Sequence, residues 1–297
     1  MSELRTSEKE MITRWQRDDE LLALNPPNEL LPLLFYPRIL TESFLPKKRT
    51  YERELVRNYH NVKVSVRTID GGILPFGVMA RKLLIYFTTR ATQLKSRTVK
   101  LNVTEKDLFD VLGMSRNLKS TKHLRTQIKR LAALTIEIDY KPNKAKRILY
   151  RGVVFSRIQL ECDDEQLPMF ASEIEFAEDF YKHVASRCMP FQTHHLARLN
   201  SSLSLDLYLW LAIRLPNIRH GEDVKLSISQ LAEQFGRCDS PVNVHNLSRS
   251  IQTALERIFS VWGGVDESVS YDRKKMILKL RYSPDLVPLK RQASGGW

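Results

Sequence analysis

The chain has 297 residues, 42% of them hydrophobic, and carries 47 lysines and arginines against 34 aspartates and glutamates, for a formal net charge of +13. That length and apolar content suffice for one large core or two of about 100–150 residues each, and the charge points to a polyanionic partner, nucleic acid before anionic membrane. No apolar run approaches the roughly 18 residues needed to span a bilayer, and Glu3, Glu8 and Glu10 stand where a secretion signal would be basic and then apolar, so a cytoplasmic protein with no membrane partner is expected.

Residues 1–29 mix charge with the short apolar run Leu21-Leu22-Ala23-Leu24 ahead of Pro26 and Pro27, which predicts a short helix on a mobile N-terminal segment. A first domain is expected over residues 30–160. It opens with an apolar, proline-interrupted stretch, residues 30–45, that reads as a strap on that domain. Val62, Val64 and Val66 then alternate with Lys63, Ser65 and Arg67, the period of a strand, and Asp70-Gly71-Gly72 supplies a turn. Pro75 stands near the start of a helix on which Met79, Leu83, Leu84 and Phe87 recur at helical spacing.

The next stretch occurs twice. Val99-Lys100-Leu101-Asn102-Val103 leads into residues 104–113, and 125 positions later Val224-Lys225-Leu226-Ser227-Ile228 leads into residues 229–236. Each copy reads as a short strand, a capped helix and a glycine stop. Each is preceded by a long apolar helix and followed by another helix and two strand-like runs around a charged turn, the order of a winged helix-turn-helix. The expected fold is therefore α+β, with tandem winged helix-turn-helix domains. In the first copy Thr104 caps the helix and Asp107, three positions on, completes an acidic variant of the capping box. The helix over residues 118–134 sets Leu124, Ile128 and Leu131 on one face and Lys122, Arg125 and Lys129 on the other. Residues 135–140 and 147–160 read as wing strands, with Lys141, Lys144, Lys146 and Arg147 at or near the tip.

Acidic residues concentrate over 161–172 in an otherwise basic chain, which reads as a linker. A second domain is expected over residues 173–285 and a tail over 286–297. Leu205, Leu209 and Ile213 mark the core face of its first long helix, and Ser240 and Pro241 suit the cap and first position of its third. That third helix turns Leu247, Ile251, Ala254, Leu255 and Ile258 inward and His245, Asn246, Arg249 and Thr253 outward. The second wing is expected around Asp272-Arg273-Lys274-Lys275.

A basic helix face is often merely solvated. Here it recurs on the third helix of both units, each time with a cationic wing behind it, and the combination favours DNA. Arg116, Lys119, Lys122, Arg125, Lys129 and Arg130, with Lys144 and Arg147 of the wing, suit phosphates. Asn246 and Arg249 are side chains that read adenine and guanine edges bidentately, and His245, Thr253, Arg273, Lys274 and Lys275 flank them. Neither metal nor cofactor is expected: Cys162, Cys188 and Cys238 are far apart, and the adjacent His194 and His195 read as ordinary polar surface. A nucleotide-binding G-x-x-x-x-G-K-[ST] is absent, and neither the histidine pair nor Tyr181 has the spacing of a nicking centre, so the expectation is a DNA binder that is not an enzyme.

The runs Phe35-Tyr36-Pro37-Arg38-Ile39-Leu40, Gly72-Ile73-Leu74-Pro75-Phe76-Gly77, Lys95-Ser96-Arg97, Leu205-Asp206-Leu207-Tyr208-Leu209-Trp210-Leu211 and Leu231-Ala232-Glu233-Gln234-Phe235-Gly236 together resemble the RepA-type plasmid replication initiators, over residues 30–284. The resemblance implies tandem winged helices that bind double-stranded origin DNA at repeated sequences (iterons), melt the adjacent duplex with host help and recruit host replication proteins such as the initiator and helicase. It also implies homodimers that repress their own promoter. A winged-helix transcriptional repressor without a replication role is the alternative, and nothing on the binding face separates the two. Gln166-Leu167-Pro168-Met169-Phe170 looks like the sliding-clamp peptide of bacterial replication proteins, with Leu167, Met169 and Phe170 for an apolar groove and Gln166 for polar contacts. The other reading is that these side chains tether the linker to its own domain.

Overall fold

The computed structural model describes residues 33–37, 40, 45–59, 62–101, 104–143, 146–161, 170–186, 188–236 and 242–284. In the first part, β1 (Leu33–Pro37), β2 (Glu54–Tyr59) and β3 (Val62–Thr68) precede α1 (Gly77–Gln93), β4 (Thr98–Lys100), α2 (Glu105–Val111) and α3 (Leu118–Ala132). The strands β5 (Leu134–Asn143), β6 (Lys146–Val153), β7 (Phe155–Glu161) and β8 (Phe170–Phe176) follow. Then come α4 (Glu178–Ser186), β9 (Cys188–Gln192), α5 (Thr193–Arg198), α6 (Ser202–Arg214), β10 (Val224–Ser227), α7 (Ile228–Phe235), α8 (Val244–Phe259), β11 (Val269–Asp272) and β12 (Ile277–Leu280). The order long helix, short strand, two helices and hairpin occurs twice, from α1 to β6 and from α6 to β12, so the fold is α+β with two winged helix-turn-helix units.

Caps decide where the helices start. Thr104 Oγ1 accepts the Asp107 amide at 3.2 Å while the Asp107 carboxylate accepts the Thr104 amide at 3.0 Å, the expected capping box. Asn117 with Ser120 builds the same device at α3, and Ser227 with Gln230 at α7, which therefore begins inside the stretch expected to be strand. The cap of α8 is Asn243, whose Oδ1 accepts the Asn246 amide at 2.9 Å; Ser240 and Pro241, expected there, lie outside the described residues. The two glycine stops differ. Gly113 has φ +58°, and a Cβ there would stand 2.7 Å from the Ala197 carbonyl oxygen, so both backbone and space demand glycine. Gly236 is not left-handed; it is crowded against the carbonyl of Ala232.

The two units build their sheets differently. In the second, β10, β12 and β11 close on one another, with Leu280 opposite both Val224 and Val269. In the first, the β5–β6 hairpin joins β3 and β2 in a four-stranded sheet, and β4 pairs with β8 beside β7. The single wing strand expected over 147–160 is broken at the buried Val154, whose amide donates to the Leu134 carbonyl, and its halves enter different sheets.

The expected linker over 161–172 is corrected by the same pairing. Glu161 stands opposite Phe170 on antiparallel strands, so residues 162–169 join two neighbours of one sheet. Just past it, acids of β8 answer cations across the strands: Glu173 and Glu175 pair with Arg157, and Glu175 with Arg97 at 2.8 Å. The strap is also more than an attachment to one unit. β1 pairs with β9, while the Thr88 hydroxyl donates to Phe35 O at 2.8 Å and the Phe35 amide to Thr89 Oγ1 at 2.7 Å, so β1 lies between α1 and the strand that enters the second unit.

One buried apolar cluster runs through both units, from Leu34 through α1 and α6 to Leu280. Of the histidine pair expected on the polar surface, His194 is exposed but His195 is buried against this cluster: it is 8% exposed, and its Nδ1 lies 3.0 Å from the Tyr208 hydroxyl. Burial, then the neighbouring His194 and Arg198, push its pKa down to about 4. The unfolded chain, with a histidine near pH 6.5, thus binds one proton more than the folded chain over that interval, and stability falls as pH drops from about 6.5 to 4. His195→Gln, which keeps a partner for Tyr208, should flatten the stability–pH curve across that window by one proton. Denaturant midpoints at half-unit pH steps check it, and an unchanged slope refutes it.

Among the described residues no helix is long and apolar enough to cross a membrane, and no group of three or more histidine, cysteine or acidic side chains is placed to hold a metal.

Candidate nucleic-acid interface

α3 buries Leu124, Ile128 and Leu131 and exposes Lys119, Lys122 and Lys129, as its spacing predicts. The arginines on it and just before it are committed elsewhere. Glu105, the first residue of α2 and 7% exposed, accepts hydrogen bonds from Arg116 Nε at 3.2 Å, Thr121 Oγ1 at 2.9 Å and Arg125 Nη2 at 3.1 Å. Burial acts to raise that carboxyl, but the three donors outweigh it and hold the group below its usual range. The network fixes α3 against α2, so Arg116 and Arg125 first serve the helix-turn-helix angle. Arg130 sits 5.0 Å over the Phe76 ring, and its pKa is lowered by burial and then by the nearby Arg49.

On α8, Leu247, Ile251, Ala254, Leu255 and Ile258 are buried and His245, Asn246, Arg249 and Thr253 exposed, as the sequence predicts. Asn246, Arg249 and Thr253 line a cleft of about 750 Å³ whose opposite wall is the segment 46–57. That segment carries the run Lys47-Lys48-Arg49, which the sequence reading passed over although the run is plain in the chain. Lys47 Nζ donates to Phe235 O, and Arg57 Nη2 donates to Gly236 O at 2.6 Å, so two cations of the first unit occupy the carbonyl end of α7. With Arg49 beside Arg130 and Lys48 on the cleft wall, residues 47–57 link the cationic face of α3 to the exposed polar face of α8.

The wings complete the surface. Arg147 grips Asp139 through Nε at 2.8 Å and Nη2 at 2.7 Å, holding that carboxyl low, and Lys144 lies outside the described residues. Arg273, Lys274 and Lys275 are exposed in the turn between β11 and β12, where Asp272 Oδ1 accepts the Lys275 amide at 3.0 Å and Met276 takes a positive φ of 54°. Gln166, Leu167 and Met169 of the clamp-like peptide lie outside the described residues, while Phe170 opens β8, so the peptide ends in a sheet and not in a free linker.

A family model described as plasmid encoded RepA protein matches residues 74–229. No curated protein matches the sequence. Among solved structures, domains 2 and 3 of RctB, crystallised as a selenomethionine derivative, superpose with a TM-score of 0.55 at 12% identity, covering 82% of this chain and 96% of that one. A second structure of RctB domains 2–3 gives 0.52 at 12% identity, with 81% and 94% covered. The Pi initiator protein in complex with iteron DNA gives 0.45 at 13% identity, with 84% and 95% covered, a score that adds nothing to the fold argument.

Proposed function

The chain belongs to the plasmid-encoded RepA family of replication initiators, since the matched residues 74–229 are more than half of its 297, and from that premise we propose that it binds repeated sequences at a plasmid origin through both winged-helix units. The observation that carries the reading is the pairing of two different third helices on one continuous core: lysines along α3, and Asn246 and Arg249 on α8. The lysines suit phosphates and the amide and guanidinium suit base edges, so one unit supplies affinity and the other sequence preference. Leu118, 84% exposed at the tip of α3, adds an apolar surface for a thymine methyl.

On this reading the protein acts in the cytoplasm, performs no catalysis of its own and brings host initiator and helicase to DNA that it distorts by binding energy. Given the pairing of β7 with β8, we place the junction between the units near β9 instead of at residues 161–172. Footprinting of the protein on its own plasmid should give regularly spaced protections beside an AT-rich tract, and supercoiled origin DNA incubated with protein and magnesium should stay unnicked. A single protected palindrome at a promoter would favour a repressor instead, and nicked circles would overturn the non-enzymatic reading.

A further inference from the structure

We propose that the cleft between residues 46–57 and α8 is a phosphate site, and that it takes a backbone phosphate of the duplex whose bases α8 reads. The proposal rests on the DNA-binding reading above. Two helices open into the cleft by their N-termini: α6, of 13 residues, through Ser201, Ser202 and Ser204, and α8, of 16 residues, through Asn243. Ser201 Oγ already accepts the Ser204 amide and Asn243 Oδ1 the Asn246 amide, so each helix offers the amides of its first two residues and the positive end of its dipole. The second observation is independent of these. Ser204 is 0% exposed and lines the cleft, yet its Oγ has no hydrogen-bond partner among the described residues. A buried hydroxyl left in that state is costly, and a phosphate oxygen at the end of α6 would satisfy it.

Charge selects the same ligand. The lining holds Lys47, Lys48, Arg57, Arg249 and Arg257 against the single carboxylate of Glu52. Lys47 and Arg57 cover the carbonyl end of α7, a negative helix pole at the cleft. Lys48, Arg249 and Arg257 remain exposed toward an incoming anion. Hydroxyls, helix amides and lysine together suit a phosphate, and the base-reading Asn246 on the same wall makes the DNA backbone its source. The first unit then holds, through Lys48, the strand that the second unit reads.

The test uses the full-length chain with Ser204→Ala and Lys48→Ala, a cognate duplex, a scrambled one, and a cognate set carrying one neutral methylphosphonate at each position in turn. Ser204→Ala should weaken both duplexes about tenfold, the scale of a hydrogen bond to a charged group, while its thermal midpoint stays level or rises because an unpaired buried hydroxyl has gone. Lys48→Ala should lower the slope of log affinity against log salt by about 0.9. One methylphosphonate position should weaken the wild type and leave Ser204→Ala unchanged. Unaltered affinity and slope in both variants, with wild type binding normally, overturn this site alone. Inorganic phosphate or ATP that raises the wild-type midpoint but not that of Ser204→Ala, with no methylphosphonate effect, overturns the DNA backbone as source. Failure of the wild type to bind any duplex sinks the initiator reading itself.

Discussion

Replacing Arg81 by methionine should lower the free energy of unfolding by about 3–5 kcal/mol, the range for removing one partner of a buried ion pair. Arg81 is 2% exposed, and all five of its N–H donors are used. Nε and Nη2 grip Asp206 at 2.6 and 2.8 Å, Nη1 donates to Pro46 O and Gly77 O at 3.0 Å each, and Nη2 donates to Leu45 O at 2.7 Å. Because Arg81 lies on α1 and Asp206 on α6, one side chain ties the leading helix of the first unit to that of the second and holds the segment entering the cleft wall. Methionine leaves the Asp206 carboxylate, 5% exposed, without its counter-charge and leaves three carbonyls without this donor. Lysine preserves charge but not the planar fork, so Arg81→Lys should recover only a minority of the loss. Arg81→Met with Asp206→Leu should recover most of it, since an apolar pair of similar volume replaces a buried ion pair at little cost. Urea unfolding of the four proteins decides; a loss below about 1 kcal/mol for Arg81→Met would mean that the pair does not hold the units together.

The local devices were legible from sequence and the long-range ones were not. Thr104 and Asp107 close a capping box within four residues, and the wheel of α8 sorts Leu247, Ile251 and Leu255 from Asn246 and Arg249 within a few turns, so composition and period suffice. Sheet partners are different in kind. Nothing near Val99 announces Ile174 as its neighbour, nor does Glu161 announce Phe170, and without those pairings the acidic run that starts at Glu161 looks like a linker between domains instead of a connection between two strands of one sheet. The same limit explains the arginines of α3. A helical wheel puts Arg125 among the cations, but Glu105, 20 positions earlier, decides where its guanidinium goes. His195 looked polar beside His194 because only Tyr208, brought in by α6, makes it a core residue. Lys47-Lys48-Arg49 was visible as a basic run, yet its place between α3 and α8 follows from Arg57 reaching the end of α7.

Changing Asn246 or Arg249 to alanine should cost about 1–3 kcal/mol on the cognate repeat and far less on scrambled DNA, because a bidentate hydrogen bond to a base edge is lost only where the right base is present. Lys119→Ala and Lys122→Ala should act the other way, weakening both duplexes alike and lowering the salt slope by about 0.9 for each contact removed. The geometry separates these lysines from Arg125, which was grouped with them by sequence. Lys119 and Lys122 are exposed, with no ion pair among the described residues, so their truncation should leave the unfolding midpoint in place. Arg125→Ala instead strips a donor from the buried Glu105 carboxylate, so it should destabilise the first unit as well as weaken DNA binding, and its binding loss has meaning only beside a measured midpoint. Arg249 is the informative case, since it stands both on the exposed face of α8 proposed to read bases and at the cleft proposed to hold a phosphate. Titrations of each variant against cognate and scrambled repeats at several salt concentrations distinguish the roles: a loss confined to the cognate repeat with an unchanged slope makes Arg249 a base reader, whereas an equal loss on both with a shallower slope makes it part of the backbone grip and leaves Asn246 as the reader of α8.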